Sequence, residues 1–168
     1  MAVRKVLMLG NPKLREESSS AEFDSETGEI VQDLKDTLTH LQQLKGIGRA
    51  LAAPQIGYMK RVVYVQTPSR KFVLVNPHIV WRSEEMVEVW DSCYSFDVAF
   101  FVGIERHKSI EVEYQDDYGN FMVERFFDDL SELLQHEIDH LYGVLATDHL
   151  KDFKKIISRE EWEKRVRT

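Results

Sequence analysis

The sequence has few of the features that mark secreted or membrane-bound proteins. It contains one cysteine, Cys93, which therefore has no disulfide partner in the chain, as is usual in a reducing compartment. No apolar run approaches the length that spans a bilayer, so we expect no membrane partner. The short apolar run within Met1–Gly10 lacks a small-residue cleavage site and predicts a first strand and turn, not a signal peptide. A cytoplasmic protein, or a mature organellar form, is expected.

Basic residues are also too few for a general nucleic-acid-binding protein. The chain has 22 Lys and Arg against 29 Asp and Glu, which gives a formal charge of −7. Residues 151–168 are the exception: seven basic and four acidic side chains give this stretch +3, so the remainder carries −10. Within it, Ser158–Arg167 is predicted to be a charged helix, with Ser158 as N-cap and Glu161 as capping-box partner.

The pattern of apolar residues over all 168 positions predicts a single domain of the α+β class. A helix is expected over Glu29–Lys45, where isoleucine and leucine recur at helical spacing before Gly46. Segments rich in β-branched and aromatic residues follow, and Tyr118-Gly119-Asn120 has the composition of a hairpin turn. The predicted strands, expected to pair mainly antiparallel, are Arg61–Gln66, Lys71–Asn76, His78–Arg82, Met86–Trp90, Ile110–Tyr114 and Phe121–Phe126.

One stretch, Leu133–Gly143, carries the pattern of a metal-dependent hydrolase. We predict a helix there, because its apolar residues recur close to helical spacing. His136 and His140 are four residues apart, so both rings leave one face of the helix and can bind the same metal ion. Glu137 lies about 100° round the helix from His136, where a carboxylate can take a proton from metal-bound water.

The pattern needs a third ligand, and spacing alone leaves the choice open. An extension to His-Glu-x-x-His-x-x-Gly-x-x-His fails, because Ala146 occupies its last position. Three glutamates downstream belong to the charged terminal helix. Cys93 remains, and two histidines, one cysteine and an open position for water are compatible with a catalytic site, although a lone buried cysteine is usually a small core residue. The glutamates in question are Glu160, Glu161 and Glu163.

Three segments, in order along the chain, resemble the motifs of the peptide deformylase family. Gly48–Gly57 is similar to the family's Gly-x-Gly-Leu-Ala-Ala-Pro-Gln-Ile/Val-Gly, with Ala50 in place of the second glycine. Asp91-Ser92-Cys93-Tyr94-Ser95 resembles Glu-Gly-Cys-Leu-Ser with three substitutions, and Gln135–Gly143 matches Gln-His-Glu-x-Asp-His-Leu-x-Gly. The resemblance implies mainly antiparallel sheets wrapped round a central His-Glu-x-x-His helix.

By that resemblance, Cys93, His136 and His140 hold one divalent metal ion per chain, most commonly Fe²⁺, with Zn²⁺ or Ni²⁺ as substitutes. The implied reaction removes the N-formyl group from N-terminal formylmethionine of nascent peptides and releases formate. Glu137 is implied as general acid/base. The Gln55 side-chain amide and the Tyr94 backbone N–H are the implied donors to the oxyanion. A deformylase-like metal amidase for another N-acyl peptide or amide is the alternative.

The resemblance also implies that the substrate peptide lies as an added strand between residues 48–50 and 88–90. Several expected contacts depart from the family pattern, since Asp91 is one methylene shorter than the family's glutamate and Glu132 stands at the position of a frequent arginine. We therefore expect formyl-Met peptides to be hydrolysed, but less efficiently than formyl peptides with a basic or polar first residue. The implied substrate-binding residues are Gly48, Arg49, Ala50, Asp91, Ser92 and Glu132.

Family members act on nascent chains at the ribosome, so the basic C-terminal tail is a candidate contact with ribosomal RNA. A solvated helix without a partner is the alternative interpretation. The candidate side chains are Lys154, Lys155, Arg159, Lys164, Arg165 and Arg167.

Overall fold

The computed structural model describes residues 2–166 of the chain. This part contains three α-helices and eight strands. The helices are Ser25–Lys45 (α1), Asp128–Leu141 (α2) and Arg159–Val166 (α3). The strands are Ala50–Ala52 (β1), Val62–Gln66 (β2), Lys71–Arg82 (β3), Met86–Asp91 (β4), Phe100–His107 (β5), Ser109–Gln115 (β6), Phe121–Phe127 (β7) and Ile156–Ser158 (β8). Neighbouring strands in both sheets are antiparallel, which confirms the α+β prediction. Within these residues, no helix combines the length and apolar character needed to cross a membrane.

The larger sheet, in the order β1-β2-β3-β6-β7, separates the two long helices. Side chains alternate along β2, so Val62 and Tyr64 join the core under α1, whereas Val63 and Val65 join the core under α2. Both faces of the central strands are therefore apolar. The helix residues that cover them are Ile30, Leu34 and Leu38 from α1, and Leu134, Ile138 and Leu141 from α2.

The smaller sheet, in the order β4-β5-β8, positions residues 91–95, the segment that contains Cys93. Asp91 lies opposite Val102 on the face that turns toward α2, which we call the inner face. Trp90 lies opposite Gly103 on the other side, the outer face. Because β4 ends at Asp91, the chain passes directly from this strand to Cys93 beside α2.

α1 begins one turn earlier than the predicted Glu29. Asp24 is its N-cap, and the Asp24 carboxylate accepts a hydrogen bond from the Thr27 N–H at 2.9 Å. The helix ends at Lys45 as predicted, with Gly46 in the left-handed region at φ +69°.

The two strands predicted over residues 71–82 are one strand, β3, interrupted by an irregularity between Val75 and His78. Asn76 stands there at φ +50°, and its side chain accepts from the Ala21 N–H at 2.8 Å and donates to the Ala21 carbonyl at 2.9 Å. Three of the strands, β1, β5 and β8, were not predicted from the sequence.

The predicted N-terminal strand is wrong, because residues 2–9 belong to neither sheet. Their polar groups are satisfied individually instead. The Arg4 guanidinium lies 2.7 Å from the buried Asp33 carboxylate, and the Leu7 N–H donates to the Gln55 carbonyl at 2.7 Å. This segment therefore connects α1 to residues 48–57 through hydrogen bonds without adding a strand.

The C-terminal segment is more than the predicted charged helix. β8 pairs with β5, so residues 156–158 extend the smaller sheet. α3 follows from Arg159, and the Ser158 hydroxyl accepts from the Glu161 N–H at 3.2 Å, which confirms Ser158 as N-cap. The predicted end of the helix, Arg167, lies outside the described residues.

Candidate metal centre and substrate cleft

α2 carries both histidines of the predicted metal site into the interior. His136 and His140 are buried, and their Nε2 atoms are 3.2 Å apart. Burial and the neighbouring His136 lower the pKa of His140 to about 3, so its ring is neutral and one of its two nitrogens has a lone pair for a metal. The four-residue spacing thus places both rings on one face of α2, as predicted from the sequence.

Cys93 meets the histidines where the chain leaves β4. Its Sγ lies 3.4 Å from His140 Nε2, and the three donor atoms all lie within 4.8 Å of one another. A tetrahedral ion with usual metal–sulfur and metal–nitrogen bonds separates its donors by about 3.3–3.7 Å. The sulfur and two imidazole nitrogens therefore fit one divalent ion, and this chemistry suits iron, zinc or nickel.

A buried acidic group orients His136. Its Nδ1 lies 2.9 and 3.0 Å from the two oxygens of Asp91, so an Nδ1–H donated to Asp91 leaves Nε2 free for a metal. Arg106 contacts Asp91 at 2.9 Å and Asp139 at 2.6 Å. Burial raises the pKa of Asp91, but the charges of His136 and Arg106 outweigh it and hold that pKa well below its usual range.

Glu137 occupies the interior beside the donor atoms. Burial raises the pKa of its carboxyl group to about 7, despite the opposing charge of His136. Its Oε2 atom is buried without a hydrogen-bond partner among residues 2–166. A buried carboxylate with an open acceptor and a pKa near neutrality is suited to exchanging a proton with a molecule in the cleft.

Gln55 is held so that its amide nitrogen faces the cysteine. The side-chain oxygen accepts from the Ala52 N–H at 3.0 Å, which assigns the orientation of the amide. The nitrogen then donates toward Cys93 Sγ at 3.4 Å and Ser95 Oγ at 3.2 Å. A fixed N–H donor is thereby aimed at the space around the metal donors.

The Tyr94 side chain turns away from that space. Its hydroxyl donates to the Ile47 carbonyl, and its ring lies against Gly48. Gly48 has φ +103°, and a Cβ there would lie 1.7 Å from the Tyr94 hydroxyl oxygen, so only glycine fits. Burial and the charge of Glu137 raise the pKa of Tyr94 to about 12.

A cleft of about 320 Å³ lies beside the candidate metal donors, Glu137 and Gln55, and eleven of the twelve predicted site residues line it. His140 is the exception, because it lies beneath the cleft wall. Arg49 and Glu132 both line the cleft and form an ion pair at 3.8 Å. The predicted residues that line the cleft are Gly48, Arg49, Ala50, Gln55, Asp91, Ser92, Cys93, Tyr94, Glu132, His136 and Glu137.

Three important residues were not predicted from the sequence. Arg106 bridges Asp91 and Asp139. It follows Val102 and Ile104 at every second position of β5, so it points inward as they do. No signal in the sequence pointed to it, because β5 was not among the predicted strands. Arg159 and Trp162, from α3, also line the cleft, and nothing in the sequence links them to it.

The chain is similar to known proteins over most of its length. The family model described as polypeptide deformylase matches residues 3–156. "Peptide deformylase 2" of Clostridium perfringens is 34% identical over 161 residues, covering 95% of this chain and all of the relative. The structure of a deformylase from Thermotoga maritima superposes with a TM-score of 0.82 at 29% identity, covering 90% and 100% of the two chains. A deformylase from Synechococcus elongatus, in complex with actinonin, gives 0.83 at 25% identity, covering 92% and 88%. The chain belongs to the peptide deformylase family.

Proposed function

We propose that Cys93, His136 and His140 hold the divalent ion with which this peptide deformylase removes the formyl group from nascent formylmethionyl peptides. One observation carries the assignment. The Cys93 sulfur and two imidazole Nε2 atoms converge beside a buried carboxylate that lacks a partner within the described residues. When bound, the ion supplies Lewis acidity and makes water a nucleophile near neutral pH. The comparisons do not favour the alternative of another N-acyl substrate.

We infer one ion per chain, Fe²⁺ in the cell, with Zn²⁺ or Ni²⁺ as functional substitutes. The donor set supports all three ions, because a thiolate with two imidazoles is compatible with each. Protein purified without oxygen and analysed for metal tests the assignment. One iron per chain with full activity supports it, whereas zinc as the sole ion in the active protein contradicts it.

Glu137 is proposed as the group that moves protons. Its open Oε2 accepts a proton from water as the formyl carbon is attacked, and the same carboxyl returns a proton to the departing amine. A pKa near 7, raised by burial, allows both directions of transfer at neutral pH. The Asp91–Arg106 pair holds His136 in place throughout, so that the proton moves at Glu137 and not at the imidazole.

The Gln55 amide and the Tyr94 backbone N–H are proposed to stabilise the oxyanion. The Gln55 nitrogen already points toward the Cys93 sulfur, so it needs no reorganisation to donate to an oxygen there. Each well-aimed donor of this kind is worth about 3 kcal/mol in the transition state. The Tyr94 side chain packs elsewhere, so its proposed role belongs to its backbone alone.

The substrate peptide is proposed to lie between Gly48–Ala50 and residues 88–90, with its first side chain near Arg49 and Glu132. These two side chains line the cleft and form a partly exposed ion pair at 3.8 Å, so the cleft wall is polar there. We therefore retain the prediction that a basic or polar first residue is preferred over methionine. A panel of formyl peptides that vary only in the first residue tests it, and a clear first rank for methionine contradicts it.

The central experiment compares hydrolysis of formyl-Met-Ala-Ser and acetyl-Met-Ala-Ser by metal-replete protein. We expect turnover of the formyl peptide and a preference over acetyl larger than the roughly 10–200-fold that one methyl gives in an apolar pocket. Formate release without acetate release supports deformylation. Equal turnover of both peptides would point to a general amidase instead.

Two further proposals concern the surroundings of the enzyme. We propose a reducing location, cytoplasmic or organellar, supported by the lone cysteine at the metal site, and cell fractionation tests it. We also propose ribosome contact through the basic tail, although Arg159 is engaged on the body of the protein and Lys155 pairs with Glu88. Co-sedimentation with ribosomes that falls steeply with salt supports an electrostatic contact, whereas salt-independent binding contradicts it.

A further inference from the structure

The C-terminal segment, residues 151–166, extends the smaller sheet through β8 and sends side chains across its outer face, where Lys155 pairs with Glu88 and Trp162 stacks on Phe101. Gly103 allows the close approach, because a Cβ there would lie only 3.1 Å from the Lys155 Cβ and 3.2 Å from the Trp90 ring. The Gly103 N–H donates to the Lys155 carbonyl at 2.8 Å. The hydrogen bond from Gly103 to Lys155 and the absence of a side chain at Gly103 therefore hold this segment close to β5.

α3 places an aromatic ring in the wall of the cleft. Trp162 stacks on Phe101 with ring centroids 4.4 Å apart and an interplanar angle of 15°. Arg159 lies over the same Phe101 ring at 4.7 Å, and its guanidinium donates to the Val98 carbonyl. Arg159 is thus occupied in holding the helix, whereas Trp162 is half-buried and lines the cleft.

Trp162 and Asp91, which orients a metal-donor histidine, belong to different faces of the β4–β5 pair. Asp91 faces inward from β4, whereas Trp162 stacks on Phe101, which alternates with Val102 along β5 and therefore points to the outer face. Residues from both sides nevertheless line one cleft. In the proposed function the formyl group lies at the metal donors, so the outer-face residues of the cleft, Trp162 among them, are left for later residues of the peptide.

We propose that Trp162 forms a subsite for an apolar side chain at the second or third residue of the substrate peptide. This inference rests on the proposed function of the cleft. Ile47, Val98 and Phe101 line the cleft together with Trp162, so this part of its wall is apolar. An indole ring of this kind binds aliphatic side chains through its surface. Trp162 lies beyond residue 156, where the match to the family model ends.

The test compares formyl-Met-Ala-Ala with formyl-Met-Leu-Ala and formyl-Met-Ala-Leu on the metal-loaded enzyme. Partial burial of one leucine is expected to raise kcat/KM about three- to tenfold in one of the two positions, chiefly through KM. In Trp162→Ala this advantage should fall below about twofold. Phe153→Ala is the matched control, because Phe153 is an exposed aromatic residue of the same segment outside the cleft, and the advantage should persist.

Either of two kinetic results overturns the proposal: no advantage of leucine in the wild-type enzyme, or an advantage that survives Trp162→Ala. If Trp162→Ala does not fold, Trp162→Leu, which keeps apolar packing on Phe101, should show an intermediate advantage. Calorimetric binding of the products Met-Ala-Ala, Met-Leu-Ala and Met-Ala-Leu measures the subsite independently of hydrolysis. Absence of formyl hydrolysis would refute the proposed function, while equal binding of the three products would refute the subsite.

Discussion

The two faces of the β4–β5 pair are held by very different interactions. On the inner face, Asp91 is buried between His136 and Arg106, and each of its oxygens has a charged or polar partner. On the outer face, Lys151 pairs with Glu105 at 2.8 Å in water-exposed positions. A buried charge without its partner is costly, so the inner face tolerates few residue types. Exposed ion pairs contribute little, so the charged positions of the outer face are free to vary.

The metal ligands should give the largest effect on the inner face. Cys93→Ala removes one of three donors, so we expect loss of the tightly bound ion, of activity and of the thermal stability that the ion supplies. Metal analysis, activity assays and thermal denaturation measure these losses. Ser69→Ala, on an exposed loop, is the control. One tightly bound ion in Cys93→Ala would show that the ligand set is wrong.

Glu137→Gln should lower kcat while the metal remains. The amide keeps the shape of the side chain but cannot accept a proton, so we expect a loss of at least about a hundredfold. Steady-state kinetics together with metal analysis separates this effect from loss of the ion. Glu84→Gln, at an exposed position, should behave as wild type. Near-normal turnover by metal-loaded Glu137→Gln would exclude this residue as the proton carrier.

Asp91→Asn should weaken metal binding without abolishing it. Loss of the carboxylate leaves Arg106 with Asp139 alone and removes the charged acceptor of His136 Nδ1–H. We expect about a 10–100-fold lower metal affinity, as for other groups that orient metal-bound histidines. Chelator competition measures it. Asp97→Asn, which breaks the exposed pair with Lys45, should retain the wild-type affinity. Equal chelator resistance in both variants would contradict the orienting role of Asp91.

The smallest effect is expected on the outer face. Lys151→Ala breaks the exposed pair with Glu105, and we expect the melting temperature to change by no more than about 2 °C with activity intact. Differential scanning calorimetry at low and high salt checks this prediction. A large, salt-sensitive loss of stability would mean that the two faces do not differ as proposed.

The arrangement of the two histidines and Glu137 was predictable because its geometry is local. The spacing of His136 and His140 on a helix places both rings on one face whatever surrounds the helix. Cys93 was different, because spacing left it beside other candidates and only the motif resemblance selected it. The structure brings its sulfur within 3.4 Å of His140. Glu137 was predictable for the same local reason as the histidines.

Local sequence patterns were enough to predict the α+β class and the helix that carries His136 and His140, because helical and strand periodicities depend on neighbouring residues. Long-range packing was needed to bring Arg106 to Asp91 and Trp162 into the cleft wall. Both contacts depend on strand register, since Asp91 lies opposite Val102, and β8 lies beside β5. Strand register brings together residues that are far apart in the chain. It depends on how two distant strands pair, which the pattern within either strand alone does not show.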